Sequence, residues 1–263
     1  MRIWLPVLVL VTWFICAVAG PYLSLSPDHI ELSRILSTPG EEKWFGYDDL
    51  GRSIFDRLVV GARISFFVAI TVVFFSLVIG SMIGAISAYV GGWFDHIIVR
   101  TIDIFMAFPG ILLAIAFAGL MGPGIENVVF ALSIIGWIGF ARLVRAQVLS
   151  VKNRGHVQAA VTLGAKDSRI IFRHLLPLVM APLIVEATFA VAGIIIAEAG
   201  LSFLGLGIQP PTPSWGSMIR DGTRYMLVAP HMVLIPGITL MLIVLSVNLL
   251  GDRLRDLMDV RQH

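Results

Sequence analysis

The segment "HVQAAVTLGAKDSRIIFRHLLP", residues 156–177, is basic and broken by turn residues, yet it lies between two long apolar runs. Val157, Ala160 and Val161 recur at helical spacing, and Gly164 stands where a helix end favours a left-handed residue. The spacing predicts a short helix over 156–164, too polar to cross a bilayer. Ala159 and Ala160 leave a surface open to close approach by another protein. Asp167 is placed to cap a second helix, along one face of which Ile170, Ile171 and Leu175 recur. Pro177 marks the bend into the next apolar run. A loop that only anchored topology would need lysine and arginine, not an alanine pair with a spaced glycine and proline. Spacing alone leaves charge anchor and docking element both open.

The flanking runs set the class. Of 263 residues, 57% are hydrophobic and 14% charged, with a mean hydropathy of +0.91. A soluble globular chain is about 45–50% apolar and about 25% charged, so the chain reads as an all-α polytopic membrane protein. Runs long enough to cross the hydrocarbon as helices lie near 3–20, 64–90, 97–121, 125–149, 178–206 and 231–250, which predicts six transmembrane helices. The first run also has the form of a secretory signal; an uncleaved first span is the favoured reading, because further spans follow. A single cysteine, Cys16, excludes a disulfide framework and a cysteine-based zinc site, and the six histidines lack metal-ligand spacing.

Lysine and arginine set the orientation. Segment 142–177 has seven basic residues and one acid, whereas segment 21–65 has five basic residues and seven acids. Both termini and the 150–177 loop are therefore expected in the cytoplasm. The chain divides into a first transmembrane helix (1–20), an external segment (21–63), a core transmembrane domain (64–250) containing the cytoplasmic loop 150–177, and a cytoplasmic tail (251–263). Within "DDLGRSIFDRLVVGARIS", apolar Ile54, Leu58, Val59 and Ile64 alternate with Asp56, Arg57 and Arg63. That pattern suits a short amphipathic helix at the membrane surface. "GIQPPTPSWG" (207–216), with three prolines, reads as an external loop with Trp215 at the interface.

Ionisable groups inside the apolar runs are candidates for a translocation pathway. Glu186 and Glu198 are the main ones, about 18 Å apart along one helix; either lines a polar route or pairs with a neighbouring helix. Asp103 has Arg100 in reach at i, i+3. Arg142 and Arg145 read as snorkelling anchors.

The opening segment resembles the EAA loop of bacterial ABC importer permeases, with the pattern E-A-A, three residues, G, nine residues, I-x-L-P. Gln158, Ala159, Ala160, Gly164, Leu176 and Pro177 fall in register, with Gln158 in place of the glutamate and His174 at the isoleucine position. His174 is similar to the peptide and nickel branch. "WFGYDDLGRSIFDRLVVGARIS" (44–65), "AEAGLSFLGLGIQPPTPSWGSMI" (197–219) and "NLLGDRLRDLMD" (248–259) resemble the second permease subunit of dipeptide and oligopeptide importers. The resemblance implies a type I importer permease fold in the bacterial inner membrane. It also implies four kinds of partner: a second permease subunit in a heterodimer, two ATP-binding subunits, an external solute-binding protein and the lipid bilayer, with no nucleic acid. On that resemblance 156–164 is the coupling helix that docks on the ATPase.

The chain cannot hold ATP by a Walker loop. Its three lysines, Lys43, Lys152 and Lys166, do not follow glycine. No cofactor is expected on this chain, ATP being used by the partner subunits, so it is expected to be a non-catalytic subunit. Within the same machinery the cargo could instead be a nickel chelate, glutathione or another small solute. An ion-coupled secondary transporter is the reading of another class; it would carry its own midplane ion site.

Overall fold

The computed structural model describes residues 4–40 and 44–259. Every regular element among them is helical, beside one isolated bridge between Tyr47 and Ser53. Hydrocarbon offers backbone groups no partner, so apolar runs of this length fold as helices. The first run is α1 (Trp4–Ala19) and the second α2 (Ile54–Val90). The third is split into α3 (Gly92–Met106) and α4 (Gly110–Met121). The fourth is α5 (Ile125–Val151), which leads through the short α6 (Gly155–Thr162) and α7 (Asp167–Arg169). A π-helical stretch, Ile170–Leu175, joins α7 to α8 (Leu176–Phe203). The chain ends in α9 (Trp215–Thr223) and α10 (His231–Asp259). Among the described residues α2, α5, α7 through α8, and α10 are long and apolar enough to cross a membrane. The bent α3–α4 pair makes a fifth span if it is one crossing, and α1 is shorter, at 16 residues.

Three sequence expectations need correction. The third run is not a single straight helix: α3 and α4 meet at 86°. Pro109 lacks an N–H and disfavours the helical backbone at Phe108, so the helix stops there. The short amphipathic helix expected within 48–65 is the first part of α2, which runs on without a break for 37 residues. Ser53 caps it, its Oγ accepting the Asp56 N–H at 3.3 Å. Asp56 and Arg57 are buried rather than turned to headgroups, at 5% and 4% exposure. Trp215 is not at an interface either. It is buried at the start of α9 and donates from Nε1 to the Leu58 carbonyl at 3.0 Å.

Those buried charges belong to a network built on Asp48. Its Oδ1 accepts the backbone N–H groups of Leu50 and Arg52, each at 2.9 Å. Its Oδ2 takes Arg52 Nε at 2.7 Å and lies 3.5 Å from Arg57 Nε. Arg57 also donates to the Pro27 carbonyl at 3.4 Å, and Asp56 accepts from the Ser26 N–H at 3.3 Å. The 44–53 turn, the 26–28 strand of loop and the head of α2 are thereby joined. His231, at the start of α10, reaches the Tyr47 carbonyl at 3.3 Å.

The frame of the bundle is the α2–α5 pair, the most extensive helix contact in the chain. Small residues permit it, as is usual where helices meet in a bilayer. A Cβ at Gly84 would overlap the Ala141 carbonyl, and one at Gly80 the Trp137 carbonyl and Phe140 Cβ. Gly84→Leu is therefore expected to force α2 from α5 at a cost of about 1–3 kcal/mol or more, and to lower the yield of folded protein from detergent. Gly119→Leu, with nothing within 4 Å of its Cβ position, should leave that yield unchanged. Size-exclusion profiles of the two variants check this.

Candidate coupling segment and pathway cavity

The segment between α5 and α8 is built from local rules. Arg154 has an extended backbone and starts α6, its carbonyl accepting the N–H groups of Val157 and Gln158 at 2.9 and 3.0 Å. Val157 is buried at 1% exposure, packed in one cluster with Val148, Val151, Ile170 and Leu175. It fixes the inner face of α6. Gln158, Ala159 and Val161 are exposed, Ala160 is half-buried, and Leu163 at the end of the helix is 87% exposed.

Gly164 ends α6 with φ +76°. The Ala165 N–H donates to the Ala160 carbonyl at 3.0 Å and the Gly164 N–H to Val161 at 2.9 Å. That pair of bonds is the Schellman termination, which needs a left-handed residue where Gly164 stands. Asp167 is not the cap of the next helix, as its spacing suggested. Lys166 takes the capping position, and Asp167 is the first residue of α7. Its carboxylate is turned to the Tyr89 hydroxyl, which donates at 2.8 Å.

Gln158 uses a donor that a glutamate lacks: its Nε2 gives a hydrogen bond to the Lys152 carbonyl at 3.1 Å, closing the turn between α5 and α6. His174 lies half-buried in the π-helical stretch. Pro177 sits in the first turn of α8. Its missing N–H is accommodated by the wider bonding before it, the Leu176 N–H reaching back to the Ile171 carbonyl.

The end of α2 is tied to this segment by groups the sequence did not single out. Lys152 Nζ donates to the Ala88 carbonyl at 2.9 Å. Arg145 is not a lone snorkelling anchor. It binds Asp95, at the head of α3, through two nitrogens at 2.6 Å each, and Ser87 donates to the same carboxylate. Only the Arg145 side chain was visible in advance, and periodicity put its partner nowhere in particular. Asp103 does meet Arg100, at 4.0 Å with both side chains exposed.

The two candidate pathway glutamates are in different settings. Glu186 is half-buried on α8 and lines a cavity of about 650 Å³ between α5, α8 and α10, which also receives Gln147, Arg154 and Arg255. Glu198 is buried at 1% exposure. Its Oε2 accepts from Ser65 Oγ on α2 at 3.1 Å, and its Oε1 from Ser202 Oγ at 2.8 Å. Glu198 lines none of the cavities described. Glu198→Gln keeps the volume and an acceptor, so assembly should survive while uptake falls. Glu198→Leu leaves both hydroxyls unpaired, at roughly 1–3 kcal/mol each, and should lower the yield of complex in a pull-down.

The comparison that decides the family covers this whole region. A family model described as "Binding-protein-dependent transport system inner membrane component" matches residues 76–262. The chain belongs to that family. It is a multi-pass inner-membrane permease. The dipeptide transport system permease protein DppC of Alkalihalophilus pseudofirmus is 44% identical over 254 residues, 96% of this chain and 84% of that protein. The glutathione transport system permease protein GsiD of Escherichia coli O157:H7 is 42% identical over 232 residues, 88% of this chain and 77% of that one. Two solved structures of the MetNI methionine ABC transporter, both in inward-facing conformations, have the same fold. Their TM-scores are 0.61 and 0.62, at 20% and 21% identity, covering 77% and 78% of this permease and 96% and 97% of those chains. The permease fold is thus that of a type I importer.

Proposed function

We propose that this permease is one of two membrane subunits of an ATP-driven importer of di- and oligopeptides. It works with a second permease subunit, two ATP-binding subunits and an external solute-binding protein. ATP is bound and hydrolysed on the partner subunits, and this chain is non-catalytic. Both termini and the 150–177 loop face the cytoplasm. The observation that carries this reading is α6: an eight-residue helix held by one buried valine, closed by a Schellman turn and otherwise open at the end of the bundle. A helix so mounted offers Ala159, Ala160, Val161 and Leu163 to a groove, and Gln158 holds its base to α5. ATPase closure moves this unit rigidly. The ties from Lys152 and Asp167 to α2 carry that movement into a third helix besides α5 and α8.

Peptide cargo is supported by relatives named for a dipeptide and for glutathione, itself a short peptide derivative. Glu186 faces the route at its cytoplasmic level, and Glu198 holds α2 to α8 at the outer level. Import of nickel chelates or another small solute is the second reading, because the resemblance that His174 carries is to the peptide and nickel branch together.

The test is uptake of a radiolabelled dipeptide and of labelled glutathione into cells with and without this chain. Loss of dipeptide uptake on deletion, with rescue by the intact gene, is the expected result. Unchanged uptake of both overturns the peptide reading. Uptake that follows a proton gradient in ATP-depleted vesicles overturns the ATP-driven one.

A further inference from the structure

The cavity between α5, α8 and α10 has a chemistry not used by the coupling account. It measures about 650 Å³, within the range of sites for small ligands. Its charged walls are of both signs. Glu186 comes from α8, Arg154 from the turn before α6, and Arg255 from α10. Gln147 adds an amide, and Leu143 and Phe189 an apolar wall. The Glu186 carboxylate has no hydrogen bond or ion pair with any described residue, although it sits inside a helix made mostly of apolar residues. A carboxylate placed there without a partner is costly unless something polar meets it. The Arg154 guanidinium is likewise without an ion pair among the described residues.

We infer that this cavity is a binding site for the two charged ends of a short zwitterionic peptide. The ammonium group meets Glu186, the carboxylate meets Arg154, and the Gln147 amide faces the peptide bond. An ammonium and a carboxylate at the ends of one ligand match the opposite charges of the walls. A neutral solute gains nothing from them, and a simple cation leaves Arg154 unanswered. The position adds a second consequence. The Arg154 carbonyl begins α6, so a peptide spanning from Glu186 to Arg154 joins α8 to the base of the coupling helix. The inference rests on the peptide reading above and adds where, and by which atoms, the permease itself meets its cargo.

The experiment uses the complete transporter in lipid nanodiscs, without the solute-binding protein. Binding of radiolabelled dialanine is measured by equilibrium dialysis, and peptide uptake is measured in liposomes made from the same preparation. Saturable binding is expected, competed by unlabelled dialanine. N-acetyl-dialanine and dialanine amide should compete roughly tenfold less well, each lacking one charge-assisted contact. Glu186→Gln should weaken dialanine roughly tenfold and abolish the preference over the N-acetyl form. Arg154→Gln should abolish the preference over the amide. Equal competition by the blocked peptides, or binding unchanged by Glu186→Gln, overturns the site. If liposomes take up peptide while the nanodiscs show no saturable binding, this site is wrong and the peptide reading stands. If no peptide is taken up in the presence of the binding protein, both fall.

Discussion

Gly164→Asp is expected to reduce substrate-stimulated ATP hydrolysis to the basal rate, a drop of roughly tenfold or more. Two effects add. Gly164 has φ +76° and its termination bonds depend on that backbone, a conformation that costs most residues with a Cβ about 1–2 kcal/mol and Asp and Asn less. A carboxylate also meets the negative end of the α6 dipole. Beyond its two chain neighbours, nothing among the described residues lies within 4 Å of where a Cβ would stand, so the defect does not come from crowding inside the chain. Gly164→Asn isolates the charge: asparagine has the shape of aspartate and the same tolerance of the left-handed region, but adds no charge. It should keep most of the stimulated activity. Normal stimulated hydrolysis in the Gly164→Asp complex would remove Gly164 from the coupling account.

Asp48→Ala is expected to unfold the end of the bundle that holds the 44–53 turn. Asp48 is 6% exposed and faces Arg52 at 8% and Arg57 at 4%. Removing it takes away the shortest partner of Arg52 and one partner of Arg57, and it leaves the Leu50 and Arg52 N–H groups without their acceptor. Breaking a buried pair from one side costs about 3–5 kcal/mol. A fall in the thermal midpoint of the detergent-solubilised chain, with protease cleavage appearing within 44–57, is the expected readout. An unchanged midpoint would mean the network is not stabilising. Asp49, the neighbour, should behave oppositely. Burial first, and then the Asp48 charge, pushes its carboxyl up from the ordinary aspartate value. A raised folded value means the folded state binds the proton more tightly, so stability from this group falls as pH rises through that window. Asp49→Asn should therefore flatten the pH dependence above the ordinary aspartate value, without the collapse expected for Asp48→Ala.

What the sequence revealed and what it hid divide along sequence distance. The apolar runs were legible because a bilayer allows little besides helix, and the Gly164 turn was legible because its bonds join residues at most five apart. Asp167 is the better local cap by residue type, yet it stands one residue inside the helix, its carboxylate taken by the Tyr89 hydroxyl 78 residues away. The head of α2 looked amphipathic because Asp56 and Arg57 break the apolar pattern. Their partners lie about 30 residues earlier and in the Asp48 turn, and no period reports them. Trp215 satisfies its indole on Leu58, 157 residues distant. Glu198 was recognised as unusual, but its pairing with Ser65 crosses 133 residues. In the candidate sites the local devices, Gln158 through Pro177, were readable. The ties to α2 were not, because one end of each is a backbone carbonyl or a hydroxyl with no distinctive spacing.

If α6 seats on an ATP-binding subunit, its exposed tip touches that subunit in the assembled transporter. Leu163, 87% exposed at the end of α6, is replaced by a photoreactive amino acid in cells expressing the whole transporter. The membranes are irradiated and the adducts identified by mass spectrometry. Adducts with an ATP-binding subunit, absent when the probe is moved to Leu227 beyond the end of α9, are the predicted result. Adducts with lipid alone, in membranes whose transporter is active in uptake, would contradict it.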